Sequence, residues 1–255
     1  SSSALIVGGG IAFPVAVLSA LLAYGVPMMG ELRGAGEGAL RVDVTGHMWW
    51  WEVRYRGADG DWGVTANELY IPVGRPVTVS LSSADVIHSF WVPSLAGKMD
   101  IIPGRLTGIT LRAERPGTYR GQCAEFCGAQ HALMAFYVVA LPPQDFDRWL
   151  EGLRAPADAP TGEEALRGRK AFLDQGCGNC HTVRGLVEGR VPAPELTHVG
   201  SRAWIGAGAL RNTPENMVTW IARGDAVKPG RAMPSFAELE PATVSAIAQF
   251  LAGLE

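Results

Sequence analysis

The stretch Cys123-Ala-Glu-Phe-Cys127-Gly-Ala-Gln-His131-Ala-Leu-Met134 places two thiols, an imidazole and a thioether within twelve residues. A second imidazole, His88, lies upstream. Thiolate, imidazole and a weak axial thioether are the ligands of copper sites that transfer electrons. Two cysteines in place of one indicate two copper ions bridged by both sulfurs, so this stretch predicts a dinuclear copper centre.

Other chemistry fits part of this pattern. Two cysteines four positions apart also occur in structural disulfides of oxidising compartments and in halves of zinc sites. Neither requires His131, Met134 and His88 as well, so the full set favours copper. Glu125, between the cysteines, is a further candidate ligand, and its alternative role is a solvated loop carboxylate.

A second motif, Cys177-Gly-Asn-Cys180-His181, has the spacing that attaches a c-type haem covalently. The two thiols would bond the porphyrin, and His181 would ligate the iron from one face. A zinc site or a redox dithiol is the alternative. A redox dithiol normally follows a strand, whereas helical patterns flank this motif. The chain has only four cysteines, and the two motifs use all of them.

Met233 is the predicted ligand on the other iron face, because Met/His ligation is typical of cytochromes c with raised potentials. It lies between Lys228-Pro229-Gly230 and Pro234, in a stiff loop suited to presenting a side chain. Met217 falls on an amphipathic helix face and Met99 in a strand-rich region, so both fit a structural role better.

Length and charge narrow the class of protein. A chain of 255 residues can form two domains, each with its own core. The net charge of −3 and the lack of any Lys/Arg run exclude nucleic acid as a partner.

Residues 1–30 contain no charged side chain. Because about 20 apolar residues span a bilayer, we predict a transmembrane helix here. A signal peptide would begin with basic residues and have a shorter apolar run, whereas this chain begins with three serines. Haem attachment and copper loading belong outside the cytoplasm, so the rest of the chain is expected on the periplasmic face.

Residues 40–141 alternate apolar and polar side chains, as in Leu40-Arg41-Val42-Asp43-Val44, with turn signals at intervals. This pattern predicts a compact antiparallel sandwich or barrel. We therefore expect a transmembrane helix at 1–30, a β-rich copper domain at 38–143, a proline-stiffened linker at 144–160 and a helical haem domain at 161–255.

Helix signals after the linker are specific. Thr161-Gly-Glu-Glu164 reads as a capping box, Thr213-Pro214 as an N-cap followed by an N1 proline, and residues 241–254 carry one apolar face. Three or four short helices around a haem are expected.

Three further features are candidates for function. A strand through Trp49-Trp50-Trp51 would direct Trp49 and Trp51 to one face and Trp50 to the other. They are either core and membrane-interface residues or an electron-uptake surface near copper. His198 and Arg202 are candidate contacts to haem propionates, while His47 is expected to be structural.

With these residues in hand, the chain resembles subunit II of haem-copper cytochrome c oxidases, in the form that carries a fused cytochrome c domain. The similarity covers almost the whole chain. It rests on the motifs above, the aromatic run after His47, Ile87-His88-Ser89-Phe90 and Lys98-Met99-Asp100-Ile101-Ile102-Pro103-Gly104-Arg105. Two features depart from the family: its members usually have two transmembrane helices, and the aromatic motif usually reads Trp-Tyr-Trp. The first helix of the family hairpin is therefore expected to be missing from this sequence.

The resemblance implies a cupredoxin-like Greek-key barrel and an all-α class I cytochrome c domain. It implies a dinuclear CuA centre whose six ligands are His88, Cys123, the carbonyl of Glu125, Cys127, His131 and Met134. The Glu125 carboxylate would also reach a magnesium ion shared with subunit I.

The implied role is electron input to a proton-translocating oxidase in the bacterial inner membrane. Electrons would pass from cytochrome c or a cytochrome bc complex through haem c and CuA to haem in subunit I, where O2 is reduced to water. Subunit III and membrane lipid are further expected partners. No residue of this chain is expected to be catalytic. The alternatives are the electron-input subunit of a CuA-containing nitric oxide reductase and a free membrane-anchored electron-transfer or copper protein.

Overall fold

The computed structural model describes residues 2–32, 40–57, 60–189 and 192–255. The chain divides into two compact units, one up to residue 38 and the other from residue 39 onward. The predicted start of the β-rich domain at residue 38 lies outside the described residues.

The first unit is helical. It comprises α1 (Ser2–Val7), a π-helical turn (Gly8–Ala12) and α2 (Phe13–Leu32). Three successive glycines lie in the turn, and glycine weakens regular α-helix. From Ser2 to Met29 the segment is long and apolar enough to cross a membrane. The predicted N-terminal apolar helix is confirmed.

The second unit begins with two five-stranded sheets that share one apolar core. Their orders are β3-β2-β1-β5-β8 and β4-β10-β9-β6-β7. The strands are β1 (Leu40–His47), β2 (Trp50–Gly57), β3 (Gly60–Ala66), β4 (Glu68–Pro72), β5 (Val77–Ser83), β6 (His88–Trp91), β7 (Lys98–Ile101), β8 (Thr107–Leu111), β9 (Gly117–Cys123) and β10 (Ala135–Leu141). The predicted cupredoxin-like β-sandwich is confirmed, although β1 pairs β5 and β4 pairs β10 in parallel.

Alternating side chains build the core of this sandwich. In β1, Leu40, Val42 and Val44 are buried while the residues between them are not. Because successive side chains of a strand point to opposite faces, the pattern gives each sheet one apolar face.

A helix, α3 (Pro143–Arg154), packs on the sandwich. Phe146 and Leu153 are buried in the sandwich core, and the Trp149 ring stacks on Tyr70 with centroids 4.1 Å apart. The prediction that 144–160 is a linker was therefore wrong for its first part, because an apolar helix face attaches it to the sheets. We call residues 40–154 the β-domain.

Residues 161–255 form the helical domain. Its elements are α4 (Glu163–Asp174), a short 3-10 turn (Cys177–Asn179), the two-stranded β11 (Trp204–Ile205) and β12 (Leu210–Arg211), α5 (Pro214–Val227) and α6 (Pro241–Ala252). Helices α4 and α6 pack closely, since Phe172 and Phe250 meet edge to face at 5.6 Å.

The two helix-start predictions had different outcomes. Thr213 caps α5 as predicted, accepting a hydrogen bond from the Asn216 N–H at 3.3 Å. The capping box at Thr161 was wrong, because Gly162 is the N-cap of α4 and no side chain caps that helix. Gly162 has φ of 89°, a conformation that glycine adopts readily.

Candidate copper and haem sites

The predicted copper ligands come together where β6 and β9 pair. His88 begins β6 and Cys123 ends β9, while Cys127 lies in the loop that follows. One ligand atom from each of these three residues lies within 4.8 Å of the other two, and all three residues are buried.

Each sulfur has its own imidazole. Cys123 Sγ lies 3.8 Å from His88 Nδ1, and Cys127 Sγ lies 3.7 Å from His131 Nδ1. The two sulfurs are 3.7 Å apart, whereas a disulfide requires about 2.05 Å. The thiols are therefore free to bind metal.

Each sulfur also has a weaker donor nearby. The Met134 thioether sulfur lies 3.8 Å from Cys127 Sγ, and the carbonyl oxygen of Glu125 lies 3.2 Å from Cys123 Sγ. The Glu125 side chain is exposed. Two sulfurs, each with one imidazole and one weak donor, are a donor set that fits two copper ions.

Asp85 fixes the orientation of His88. Its Oδ1 lies 2.9 Å from His88 Nε2, while its Oδ2 accepts the backbone N–H of Met48 at 2.6 Å. Holding the outer ring nitrogen in this way leaves Nδ1 facing the sulfurs, as is usual for metal-ligating histidines. Sequence analysis missed Asp85, although a carboxylate three residues before a candidate ligand was a usable signal.

The two thiols differ in acidity. Burial opposes ionisation of Cys123, but interactions led by His88 outweigh burial and lower its pKa to about 6. Burial and the adjacent Cys123 raise the pKa of Cys127 to about 12. Bridging by metal would remove the second proton, because thiolates are the metal-binding form.

The three tryptophans do not lie in one strand, so the predicted alternation of their faces was wrong. Trp49 occupies the turn between β1 and β2, and β2 begins at Trp50. The Trp49 indole N–H donates to the carbonyl of Cys127 at 2.8 Å. Trp50 stacks on His47 at 4.3 Å, whereas Trp51 is fully buried with its ring 6.0 Å from that of His88.

A cavity of about 750 Å³ lies in the second unit, a volume suited to a cofactor. The helical domain contributes the haem-attachment residues Cys177, Cys180 and His181 together with Met233. The β-domain contributes other lining residues, among them Trp49. The apolar lining includes Phe172, Met217, Ile221, Phe236, Ile247 and Leu251.

The cavity fits a covalently attached haem. His181 Nδ1 lies 2.7 Å from the carbonyl oxygen of Pro194, so Nε2 is the ring nitrogen left to bind a metal. Arg202 and Arg231 line the same cavity. Among the described residues, one buried guanidinium nitrogen of Arg202 and two of Arg231 have no hydrogen-bond partner. Such donors suit the two carboxylates of a haem.

The structure does not bring His198 to the cavity. Its two ring nitrogens lie 2.9 Å and 3.1 Å from the backbone carbonyl oxygens of Glu255 and Ala155. Its role as a propionate contact is therefore not supported, because both nitrogens face the C-terminus and the start of the linker.

Arg202 is almost fully buried, and burial lowers its pKa despite nearby Glu195 and Glu68.

The β-domain and helical domain contact each other directly. Glu68 Oε1 accepts the backbone N–H groups of Ala203 and Trp204 at 2.8 and 3.0 Å. Tyr137 stacks on Trp204 with centroids 4.7 Å apart.

A second group of contacts lies beside the copper loop. Gln130 Nε2 donates to the carbonyl of Pro229 at 2.9 Å, and Lys228 Nζ donates to the carbonyl of Trp49 at 3.0 Å. Sequence analysis missed Gln130 and Lys228. Their partners lie far away in the chain, and a contact of this kind produces no local sequence pattern.

Comparison with known proteins decides the family. The family model for the periplasmic domain of cytochrome c oxidase subunit II matches residues 58–141, and the model for cytochrome c matches 165–255. Cytochrome c oxidase subunit 2 of Bacillus subtilis is 32% identical over 96% of this chain and 70% of its own length. The chain belongs to the cytochrome c oxidase subunit II family. The two family models imply haem c and copper as cofactors of this subunit II chain.

Two further proteins are similar to this chain. Cytochrome c oxidase subunit 2 of Alkalihalophilus pseudofirmus is 39% identical over 86% of this chain. The chain spans 63% of that relative's length. Among solved structures, the periplasmic domain of subunit II of cytochrome oxidase of Bradyrhizobium japonicum is 29% identical to this chain, with a TM-score of 0.44. The matched region covers 48% of this chain and 97% of the Bradyrhizobium chain.

Proposed function

We propose that this chain is the electron-input subunit of a membrane cytochrome c oxidase, relaying electrons from a donor through covalent haem c to a dinuclear copper centre and on to haem in subunit I. One observation carries this proposal. Trp49 lines the haem cavity and also donates its indole N–H to the carbonyl of Cys127, so one side chain contacts both predicted sites. When bound, the haem and the copper pair supply two one-electron acceptors.

The chain's own residues hold both groups. Cys177 and Cys180 would attach the porphyrin, and His181 and Met233 would ligate its iron. Arg202 would contact a propionate through its buried Nε, which has no hydrogen-bond partner among the described residues, while its Nη2 lies 3.9 Å from Glu195 Oε2.

Six residues of the β-domain would hold the copper pair. The thiolates of Cys123 and Cys127 would be the central ligands, and Asp85 holds the His88 imidazole with Nδ1 toward the sulfurs. The remaining ligands are His88, His131, Met134 and the carbonyl of Glu125. Glu125 is exposed, so its carboxylate would be available to a magnesium ion shared with subunit I.

Trp49 is the tryptophan that connects the two sites. Trp50 also lines the cavity, but it is stacked on His47. Trp51 lies in the sandwich core, packed against Phe90 and Phe136. The packing of Trp51 in the core supports a structural role for that residue. Trp49 is therefore the side chain through which the copper centre takes up electrons.

The apolar helix anchors the chain in the bacterial inner membrane, with the second unit on the periplasmic face. Subunit I, which reduces O2 to water and pumps protons, and subunit III are the membrane partners. Cytochrome c or a cytochrome bc complex is the donor. Both metal sites have full ligand sets, which supports electron transfer in this chain and catalysis in its partner.

Electron paramagnetic resonance of the copper-loaded chain tests the copper centre. Two equivalent copper nuclei sharing one unpaired electron give a seven-line pattern. A four-line pattern would contradict the dinuclear assignment. Copurification with a multi-helix haem subunit tests the oxidase assignment, and turnover of nitric oxide but not of O2 by that complex would contradict it.

A further inference from the structure

We infer that Lys228 and Gln130 form a clasp between the two domains that holds Trp49 in place, and that this clasp sets the rate of electron transfer between haem and copper. They act as positioning residues. The inference rests on the proposed function, because it concerns transfer between the same two sites.

Lys228 lies in an unusual place for a lysine. The residue is only 3% exposed, and lysine is almost never fully buried unless it is paired. In the described part of the chain it forms no ion pair, and its ammonium group donates to the carbonyl of Trp49 at 3.0 Å. Burial lowers its pKa to about 8. Lys228 also lines the haem cavity. An apolar residue would fill this space at less cost, and the bond to Trp49 is the contact that satisfies the buried ammonium group in this structure.

Gln130 ties the same loop from the other side. It is 2% exposed, and its amide donates to the carbonyl of Pro229 at 2.9 Å and lies 3.4 Å from that of Lys228. Gln130 directly precedes the copper ligand His131, whereas Lys228 and Pro229 begin the loop that leads to Met233. The two loops that carry proposed metal ligands are thus joined by hydrogen bonds.

Trp49 is fixed at its backbone carbonyl and at its indole N–H. Its carbonyl accepts from Lys228, and its indole N–H donates to the carbonyl of Cys127. Gly128 has φ of 110°, and a Cβ there would lie 3.1 Å from the Trp49 ring. A glycine at this position therefore lets the indole lie against the copper loop.

Docking of the domains does not depend on the clasp alone. Glu68 binds the backbone of Ala203 and Trp204, and Tyr137 stacks on Trp204. Loss of Lys228 should therefore leave the domains attached while Trp49 and the Met233 loop become free to shift. Small displacements are costly for reactions that depend on geometry.

The test uses the full chain with haem and copper bound, and the variant Lys228→Met. The haem is reduced by a light pulse, and transfer to copper is followed optically. We expect transfer to slow by about tenfold or more, with unchanged haem and copper spectra. Pulsed electron paramagnetic resonance should show a broader distance distribution between the two centres. Lys170→Met is the matched control, since Lys170 is exposed on α4 and pairs with the nearby Asp174.

A second variant, Gln130→Leu, removes the other half of the clasp and should also slow transfer. If both variants keep their spectra and transfer at the rate of the unaltered chain, the clasp inference is wrong. That outcome differs from failure of the proposed function, in which the unaltered chain itself would show no transfer from haem to copper.

Discussion

At the scale of single residues, the sequence predicted which candidate ligands lie together, as His88, Cys123 and Cys127 do, but it did not predict the contacts that support them. The pattern from Cys123 to Met134 indicates soft metal ligands, because sulfur and imidazole groups rarely cluster in a sequence by chance. Trp49 carries no such signal: its contact with Cys127 joins residues 78 positions apart. Its place in a turn depends on how β1 and β2 pair.

Asp85 gives the first residue-scale prediction. Asp85→Asn removes the negative charge beside His88 Nε2, and loss of such an outer partner typically lowers metal affinity by about 10–100-fold. Competition with a copper chelator measures the change. Asp147→Asn is the control, because Asp147 is an exposed carboxylate on α3. Equal copper affinity in the two variants would contradict the role of Asp85.

At the scale of elements, the alternation at residues 40–44 predicted β1, and the helix signals predicted helices at the positions of α4, α5 and α6. The two helix caps show where local pattern fails. Thr213 and Thr161 both precede acidic or polar residues in the right order, yet only Thr213 bonds to the start of its helix. The chain enters α4 through Gly162, which turns Thr161 away from the cap position.

This difference is measurable. Thr213→Ala should lower the free energy of unfolding of the helical domain by about 1 kcal/mol, the usual value of an N-cap. Thr161→Ala should change it little. Thermal unfolding followed by the haem absorption compares the two variants, and equal losses would show that Thr161 also caps.

Alanine substitutions at two helix glycines should change the free energy of unfolding in opposite directions. Gly168 on α4 packs against α6, and a Cβ there would lie 1.9 Å from the carbonyl oxygen of Ala246. Gly168→Ala should therefore destabilise the helical domain by about 1–3 kcal/mol. Gly152 on α3 has no atom within 4 Å of its Cβ position, so Gly152→Ala should stabilise the β-domain by about 0.5–1 kcal/mol. Chemical denaturation distinguishes them, and a stabilising Gly168→Ala would refute the close packing of α4 on α6.

At the scale of the whole molecule, the interface between the domains could not be predicted from the sequence. Both domains were expected, but the linker predicted at 144–160 began too early, because α3 packs an apolar face on the sandwich. Glu68 has no sequence signal either, since its partners are backbone N–H groups far along the chain.

Glu68 predicts a pH effect on stability. Burial raises the pKa of the Glu68 carboxyl above the ordinary 4.5. The folded protein therefore holds the proton of this carboxyl more tightly than the unfolded chain does. Stability contributed by the neutral group is therefore complete below pH 4.5 and declines as the pH rises from there through the folded-state pKa. Glu68→Gln keeps an oxygen acceptor for the helical domain and cannot ionise. Its unfolding temperature should fall less over this pH range than that of the unaltered chain, and parallel curves would contradict the prediction.

The central claim is that one chain passes electrons from its haem to its copper pair. Transient absorption after photoreduction of the haem tests it most directly, using the full chain with both groups bound. We predict that the haem is reoxidised as the copper absorption bleaches, in equal amounts and at a rate independent of protein concentration. A haem that stays reduced, or a rate proportional to concentration, would contradict transfer within the chain.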